Sequence, residues 1–414
     1  MLADERAAFR QSFDIAFHHE LRVGQIAAAA RGIRRQRTEA TFDIDGVVAA
    51  RRAGIACQLI ECLLAFGHIS RKLAQQIGAL MKCQLAQRGA ADLMHELAFG
   101  ITSTNLSSFA GPVKNPYDTT RIPGGSSGGT AVAIAAEIVT CGLGTDTGGS
   151  TRVPAALTGI VGLRPSVGNG GARRRYNDDH AVIPISHTRD TVGPMGKTVA
   201  DVALLDSVIT GTVMAAAEDL RGKRFGVPPS MWSGLDKGLQ DVVDAARKKL
   251  IDAGAVVVNT DIVGLFDLNA KLSFPIALHE PIEDIPAYLK ASGIEGITLA
   301  DIAAKIASPD VKGAFGAITA DAFGKAYPDA IGVLRPQLQK LYENYFRDNN
   351  LDAILFPTTI APAPAIDTAK GSGEMTINGG KPVPTFDTMI RNTDPGSNAG
   401  IPGLSLFAGM ISKP

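Results

Sequence analysis

Two groups of serines set among glycines carry the most direct chemical signal in this chain. Ser150 follows Gly148 and Gly149 in G-T-D-T-G-G-S-T-R, and Ser126 and Ser127 lie inside G-G-S-S-G-G. Glycines beside a serine let the backbone take left-handed turns and let a substrate approach main-chain N–H groups closely. Gly148 and Gly149 can aim consecutive N–H groups at one point, which is how the oxyanion of a tetrahedral intermediate is held. Ser150 is therefore a candidate acyl-transfer nucleophile, with an ordinary glycine turn as the alternative. Asp146 and Arg152 flank it. They either touch substrate or, the plainer reading, form an ion pair that pins the loop, because a buried charge needs a partner.

The G-G-S-S-G-G turn admits a rival chemistry, since a glycine-rich turn entering a helix is also a phosphate cradle. The P-loop version ends in G-K-[ST], whereas Gly129 is followed by Thr130 and Ala131, which argues against a nucleotide. Neither serine sits in a G-x-S-x-G elbow. His187, in S-H-T-R-D, is the histidine best placed by context to serve a serine, and a hydrogen-bonded loop residue is the plainer reading. His18 and His19 read as the surface of an amphipathic helix over 3–37, with no partner at ligand spacing.

The elements that must position these residues follow an α/β pattern. The spacing predicts a small-residue helix over 131–139 whose N-terminal N–H groups point back at Ser126 and Ser127. It then predicts a short buried strand over 140–143 and, downstream, a strand, helix and strand over 225–228, 239–253 and 255–258, with Gly254 stopping the helix. Residues 265–345 read as mostly helical, broken early by Pro275, Pro281 and Pro286, and 351–357 and 401–410 read as buried strands.

Lys+Arg and Asp+Glu both number 41, so nothing electrostatic favours nucleic acid or an anionic membrane as partner. Cys57, Cys62, Cys83 and Cys141 form no C-x-x-C pair and read as small core residues in a reducing compartment, neither disulfides nor a metal site. The N-terminus lacks the apolar core of a secretory signal, and the run Cys57 to Phe66 is too short to span a bilayer. The expectation is a cytoplasmic protein.

Taken together, G-G-S-S-G-G, G-T-D-T-G-G-S-T-R-V-P-A-A and G-L-R-P-S resemble the amidase signature family. Within it, M-H-E-L-A-F-G-I-T, N-P-Y-D-T-T-R-I-P-G-G-S-S-G-G-T and P-I-S-H-T-R-D-T-V-G-P-M are most similar to the indoleacetamide hydrolase subgroup. The likeness covers 94–414, whereas 1–93 matches the family poorly, and one domain overall is expected. The resemblance implies a mixed central β-sheet flanked by α-helices and hydrolysis of a small carboxamide to acid and ammonia. It assigns Ser150 as nucleophile, Ser126, in a cis peptide, as proton relay, and Ser127 as helper. The N–H groups of Thr147, Gly148, Gly149 and Ser150 match the family's oxyanion hole. It implies no metal or organic cofactor and a small-molecule amide as partner, and it leaves a homodimer open.

The family's third catalytic residue is a lysine in G-I-P-x-x-x-K-D, and the corresponding stretch here, Gly46 to Gly67, contains none. Arg51 and Arg52 stand there, but a guanidinium stays protonated and cannot be the neutral base. Lys72 and Lys82 come too late and lack the motif around them. A-A-D-L at 90–93 replaces the usual G-K-T-N, as in a shifted or remodelled segment, and Pro414 falls where family text continues through another strand and helix. These departures raise a second expectation, an amidase fold that binds without turning over. An amidotransferase subunit acting on charged tRNA is a third, unsupported by the neutral charge balance.

Overall fold

The computed structural model describes residues 106–107 and 111–411, apart from 169–173, 177–181, 214–216, 307 and 370. A hairpin of β1 (Leu106–Ser107) and β2 (Gly111–Pro112) precedes α1 (Gly128–Ala135), β3 (Cys141–Asp146), α2 (Arg152–Thr158) and β4 (Val161–Arg164). β5 (Thr191–Gly196) leads into α3 (Val199–Thr210), whose N-terminus is closed by a reciprocal box between Thr198 and Asp201. Then come β6 (Arg224–Gly226), α4 (Lys237–Asp252) and β7 (Val256–Val258). The helical stretch holds α5 (Leu265–Ala277), α6 (Pro281–Ala291), α7 (Leu299–Lys305), α8 (Pro309–Thr319) and α9 (Arg335–Asn349). β8 (Ala353–Ile354), the hairpin β9 (Glu374–Met375) and β10 (Val383–Pro384), α10 (Thr385–Ile390), α11 (Asp394–Ala399) and β11 (Gly403–Ser405) follow.

The class is α/β, with strands of both senses divided between two main sheets. One is antiparallel in the order β11-β4-β5-β3, and the other is parallel in the order β7-β6-β8. The parallel sheet is the product of the β–α–β rhythm, because parallel neighbours need a crossover such as α4 between them. The antiparallel sheet carries the serines. β3 pairs with β5 along its whole length, from Cys141 opposite Gly196 to Asp146 opposite Thr191.

The strand expected over 140–143 thus runs on to Asp146. Gly142 and Gly144 hide it, since glycine weakens a strand signal, yet both are needed for close packing. A Cβ on Gly142 would stand 2.9 Å from Thr130 Cγ2, and one on Gly144 would stand 2.6 Å from Ser127 Oγ. α1 begins earlier than expected, at Gly128, and ends at Ala135. The helical stretch is interrupted at 278–280, just before Pro281, which opens α6 in keeping with proline's fit to a first helical turn. Pro275 and Pro286 lie inside α5 and α6 and do not break them.

Small residues let α1 and α2 approach the antiparallel sheet, with Ala131, Ile134, Ala155, Ile160 and Met195 forming one buried cluster. A larger core between α5 and α9 is built on Leu272, Ile276, Leu338, Tyr342 and Tyr345, and another between α6 and α8 on Ile285, Val311 and Phe315. Among the described residues no helix is long and apolar enough to cross a membrane. Cys141 is half-buried and forms no disulfide among the described residues, while Cys57, Cys62, Cys83, His18 and His19 lie outside the described residues.

Candidate active site

Ser150 stands on the turn between β3 and α2, and its residue is 8% exposed. The turn has no room for side chains at its two glycines. A Cβ on Gly148 would lie 3.0 Å from Asp394 Oδ1, and one on Gly149, where φ is +153°, would lie 2.4 Å from Thr393 Oγ1. Glycine is therefore required at both positions by close approach.

Each peptide plane of this turn is held by its carbonyl. The Asp146 carbonyl accepts from the Arg164 guanidinium, and the Thr147 carbonyl accepts from Arg189 Nε at 3.2 Å. The Gly148 carbonyl accepts from Thr393 Oγ1 at 2.8 Å, and the Gly149 carbonyl from the Val153 amide at 2.7 Å. In a trans peptide the N–H points opposite to the preceding C=O. Fixing those four carbonyls therefore fixes the N–H directions of Thr147, Gly148, Gly149 and Ser150 before any ligand arrives.

The second serine loop is joined to the first. The Ser127 amide donates to the Ser150 carbonyl at 3.0 Å, and the Gly125–Ser126 peptide bond beside it is cis. Ser127 Oγ accepts from the Thr145 amide at 3.0 Å and donates to the Thr145 carbonyl at 3.1 Å, so this side chain pairs with β3 as a neighbouring backbone would. Ser126 and Ser127 are both buried.

Buried charges surround the turn in matched groups. Asp146 accepts from Arg152 Nε and Nη2, both at 3.0 Å, and from Arg164 Nη1 at 3.1 Å. Burial pushes its carboxyl up, but the two guanidinium charges and their hydrogen bonds outweigh it and hold the group at about 2. Burial brings Arg164 down to about 10 against the pull of Asp146. Arg189 pairs with Asp394, which also accepts from Asn269 Nδ2 at 2.7 Å, and donates through Nη1 to the Ser273 carbonyl at 3.1 Å. Asp190 accepts from the Thr147 hydroxyl at 2.5 Å and from the amides of Ile185 and Ser186, yet burial dominates and raises it to about 6.

His187 lies on the same segment. Its Nδ1 is 3.0 Å from Asp284 Oδ1 and its Nε2 is 3.6 Å from Glu280 Oε1, so its pKa is raised, chiefly by the Asp284 hydrogen bond. One ligand atom from each of these three residues lies within 4.8 Å of the others, and hydrogen bonds of His187 to Asp284 and of Ser186 and Thr188 to Glu280 already engage them.

Thr147, Gly148 and Ser150 line a small cleft that is partly open to solvent. Its remaining wall is mostly apolar, with Ile185, Phe274, Leu278, Phe386 and Ile390, and Arg189 and Asp394 supply the polar part. An apolar cleft with a few convergent polar groups is the usual form of a small-molecule site.

Of the residues singled out in the sequence, Ser126, Ser127, Asp146, Thr147, Gly148, Gly149, Ser150 and Arg152 gather here, Asp146 and Arg152 as an ion pair. His187 is clipped to α6 and points no hydrogen bond at a serine. Gly46 to Gly67, where the family lysine is expected, lies outside the described residues, as do Arg51, Arg52, Lys72 and Lys82. Among the described residues no lysine is buried. Lys197, next to β5, sits past the end of that strand opposite to Thr191 and donates to the Ala135 carbonyl. Arg164, Arg189, Asp190, Thr393 and Asp394 went unread in the sequence. S-H-T-R-D drew notice for its histidine, whereas its arginine and aspartate hold the turn.

The sequence profile of the Amidase family matches residues 89–413. This chain belongs to the amidase family. It is 42% identical over 343 residues to an indoleacetamide hydrolase of Agrobacterium vitis, covering 82% of this chain and 70% of that one. A mandelamide hydrolase of Pseudomonas putida is 38% identical over 334 residues, covering 77% and 62%. Among solved structures, a crystal structure of an amidase matches with a TM-score of 0.60 at 29% identity, covering 77% of this chain and 69% of that one. A bacterial aryl acylamidase of the amidase signature enzymes matches with a TM-score of 0.58 at 27% identity, covering 75% and 64%. The chain thus spans about two thirds of the length of the proteins it resembles.

Proposed function

We propose that this protein hydrolyses a small carboxamide with an aromatic acyl group, of the indole-3-acetamide kind, to the carboxylic acid and ammonia. The observation that carries the proposal is Ser150 on a turn of fixed N–H groups at the mouth of an apolar cleft walled by Phe274 and Phe386. Ser150 Oγ attacks the amide carbon, and its proton passes through the Ser126 hydroxyl to the leaving nitrogen. The carbonyl oxygen takes the negative charge and accepts from the N–H groups of Thr147, Gly148 and Gly149. The C–N bond breaks, ammonia leaves, and water frees the acid from Ser150 by the reverse proton path. The similarity to indoleacetamide and mandelamide hydrolases supports an aromatic acyl group.

A second possibility, an amidase fold that binds amides without turnover, is favoured by one observation. Residues 46–67 contain no lysine to begin the proton relay. Intact-protein mass spectrometry after treatment with a fluorophosphonate, together with ammonia release from indole-3-acetamide, separates the two. A single adduct lost in Ser150→Ala, with ammonia released, supports the hydrolase. A folded protein with no adduct and no ammonia supports the binding protein.

A further inference from the structure

We infer that Arg189 and Thr393 are positioning residues that aim the N–H groups of Gly148 and Gly149, an inference that rests on the hydrolase proposal above. Arg189 Nε holds the Thr147 carbonyl at 3.2 Å, and Thr393 Oγ1 holds the Gly148 carbonyl at 2.8 Å. Each bond orients the peptide whose N–H belongs to the next residue.

Both side chains are themselves fixed. Arg189 is 2% exposed, and its other nitrogens are taken by Ser273 and Asp394, which Asn269 and Asn398 hold in turn. Thr393 is 1% exposed, and its carbonyl accepts from Arg152 Nη1 at 3.2 Å. Its hydroxyl proton has two acceptors in range, the Gly148 carbonyl at 2.8 Å and the Ile390 carbonyl at 3.1 Å, and the shorter contact is the one to the turn. The same Oγ1 fills the space where a Cβ on Gly149 would stand. One residue thus holds the turn by a hydrogen bond on one peptide and by packing on the next. Thr393 is not among the residues that line the cleft, and Arg189, which does line it, acts on the turn through its bond to the Thr147 carbonyl. They act by making the donors ready, which matters because preorganised donors need no rearrangement when charge develops.

The test compares Thr393→Val, Thr393→Ser and Arg189→Lys with the full-length protein, with circular dichroism to check folding. Rates of Ser150 labelling by a fluorophosphonate and steady-state hydrolysis of indole-3-acetamide are measured for each. Deleting one oxyanion donor outright costs roughly a hundredfold to a thousandfold, so a misaimed donor should cost roughly tenfold to a hundredfold. Thr393→Val is expected to lose that much in labelling rate and kcat with KM within about twofold, because binding of the neutral amide is not what the donors favour. Thr393→Ser keeps the hydroxyl and recovers most of the rate. Arg189→Lys, which keeps the charge beside Asp394 but not the planar fork, shows the same split and decides the matter if Thr393→Val does not fold. Folded variants that label and turn over like wild type, or whose loss lies wholly in KM, overturn the inference. Wild-type protein that neither labels nor releases ammonia removes the hydrolase proposal, and this inference goes with it.

Discussion

Replacing Asp146 with asparagine should cost the protein a large part of its stability. The carboxylate accepts four hydrogen bonds, from Arg152 Nε and Nη2, Arg164 Nη1 and the Thr151 amide. An asparagine keeps one acceptor oxygen and turns its NH₂ toward guanidinium donors, leaving Arg152 and Arg164 buried without a counter-charge. Breaking one side of a buried pair costs about 3–5 kcal/mol, against a total stability of about 5–15 kcal/mol for a typical protein. The single tryptophan reports unfolding, since Trp232 is half-buried and donates to the Leu355 carbonyl at 2.9 Å. Urea titrations of Asp146→Asn followed by its fluorescence should show a much lower midpoint at neutral pH. The pH dependence gives a second check. The folded pKa is depressed from 3.8 to about 2, so the stabilisation is complete above 3.8 and fades as pH falls toward 2. Asp146→Asn lacks that acid-side loss. A variant with the wild-type midpoint at neutral pH would show that the pair does not hold the turn.

Three further outcomes follow from the same geometry. Gly144→Ala places a Cβ 2.6 Å from Ser127 Oγ and 2.9 Å from Met195 Sδ, so it should destabilise by about 1–3 kcal/mol and slow labelling of Ser150, as thermal melts and fluorophosphonate kinetics would show. Asp190 is raised from 3.8 to about 6, so stability linked to its proton is full below 3.8 and lost as pH rises through about 6. Its ionised form accepts the Thr147 hydroxyl, and activity should rise through the same pH range, a limb that Asp190→Asn removes from the kcat profile. Phe386→Ala opens the cleft wall, and KM for an aromatic amide should rise by roughly tenfold or more with little change for acetamide, as expected for about 1.5–3 kcal/mol of lost aromatic burial.

The serine turns were legible in the sequence because glycine spacing reports backbone geometry directly. Around 148–150 and 126–127 the glycines marked tight turns, although an ordinary glycine turn and a phosphate cradle were rival readings of the same residues. The ion pair of Asp146 with Arg152 was legible too, since both stand within a few residues of Ser150. Arg189, Asp190, Thr393 and Asp394 were not, because they reach the turn through tertiary contacts and no local period marks them. β3 was read too short for a related reason. Its glycines at 142 and 144 serve the side chains of Thr130 and Ser127, which only the folded packing brings near. The middle helices were placed correctly as a class and Pro281 marks the break between α5 and α6, while Pro275 and Pro286 were misread as breaks, since both lie inside continuous helices.

The hydroxyl of Thr393 and the carbonyl of Gly148 are separated by 245 residues of chain. Arg152 and Ser397 meet across the same distance, and Arg189 and Asp394 across 205. Contacts this distant in sequence form slowly, because the closure entropy of the intervening chain opposes them until the rest has condensed. The Ser150 turn is therefore translated early and set late. As the polypeptide emerges from the ribosome, the serines, glycines and β3 are all present long before the segment that fixes their donors. A nascent chain halted short of residue 393 would have its chemistry written out and still be unable to aim it.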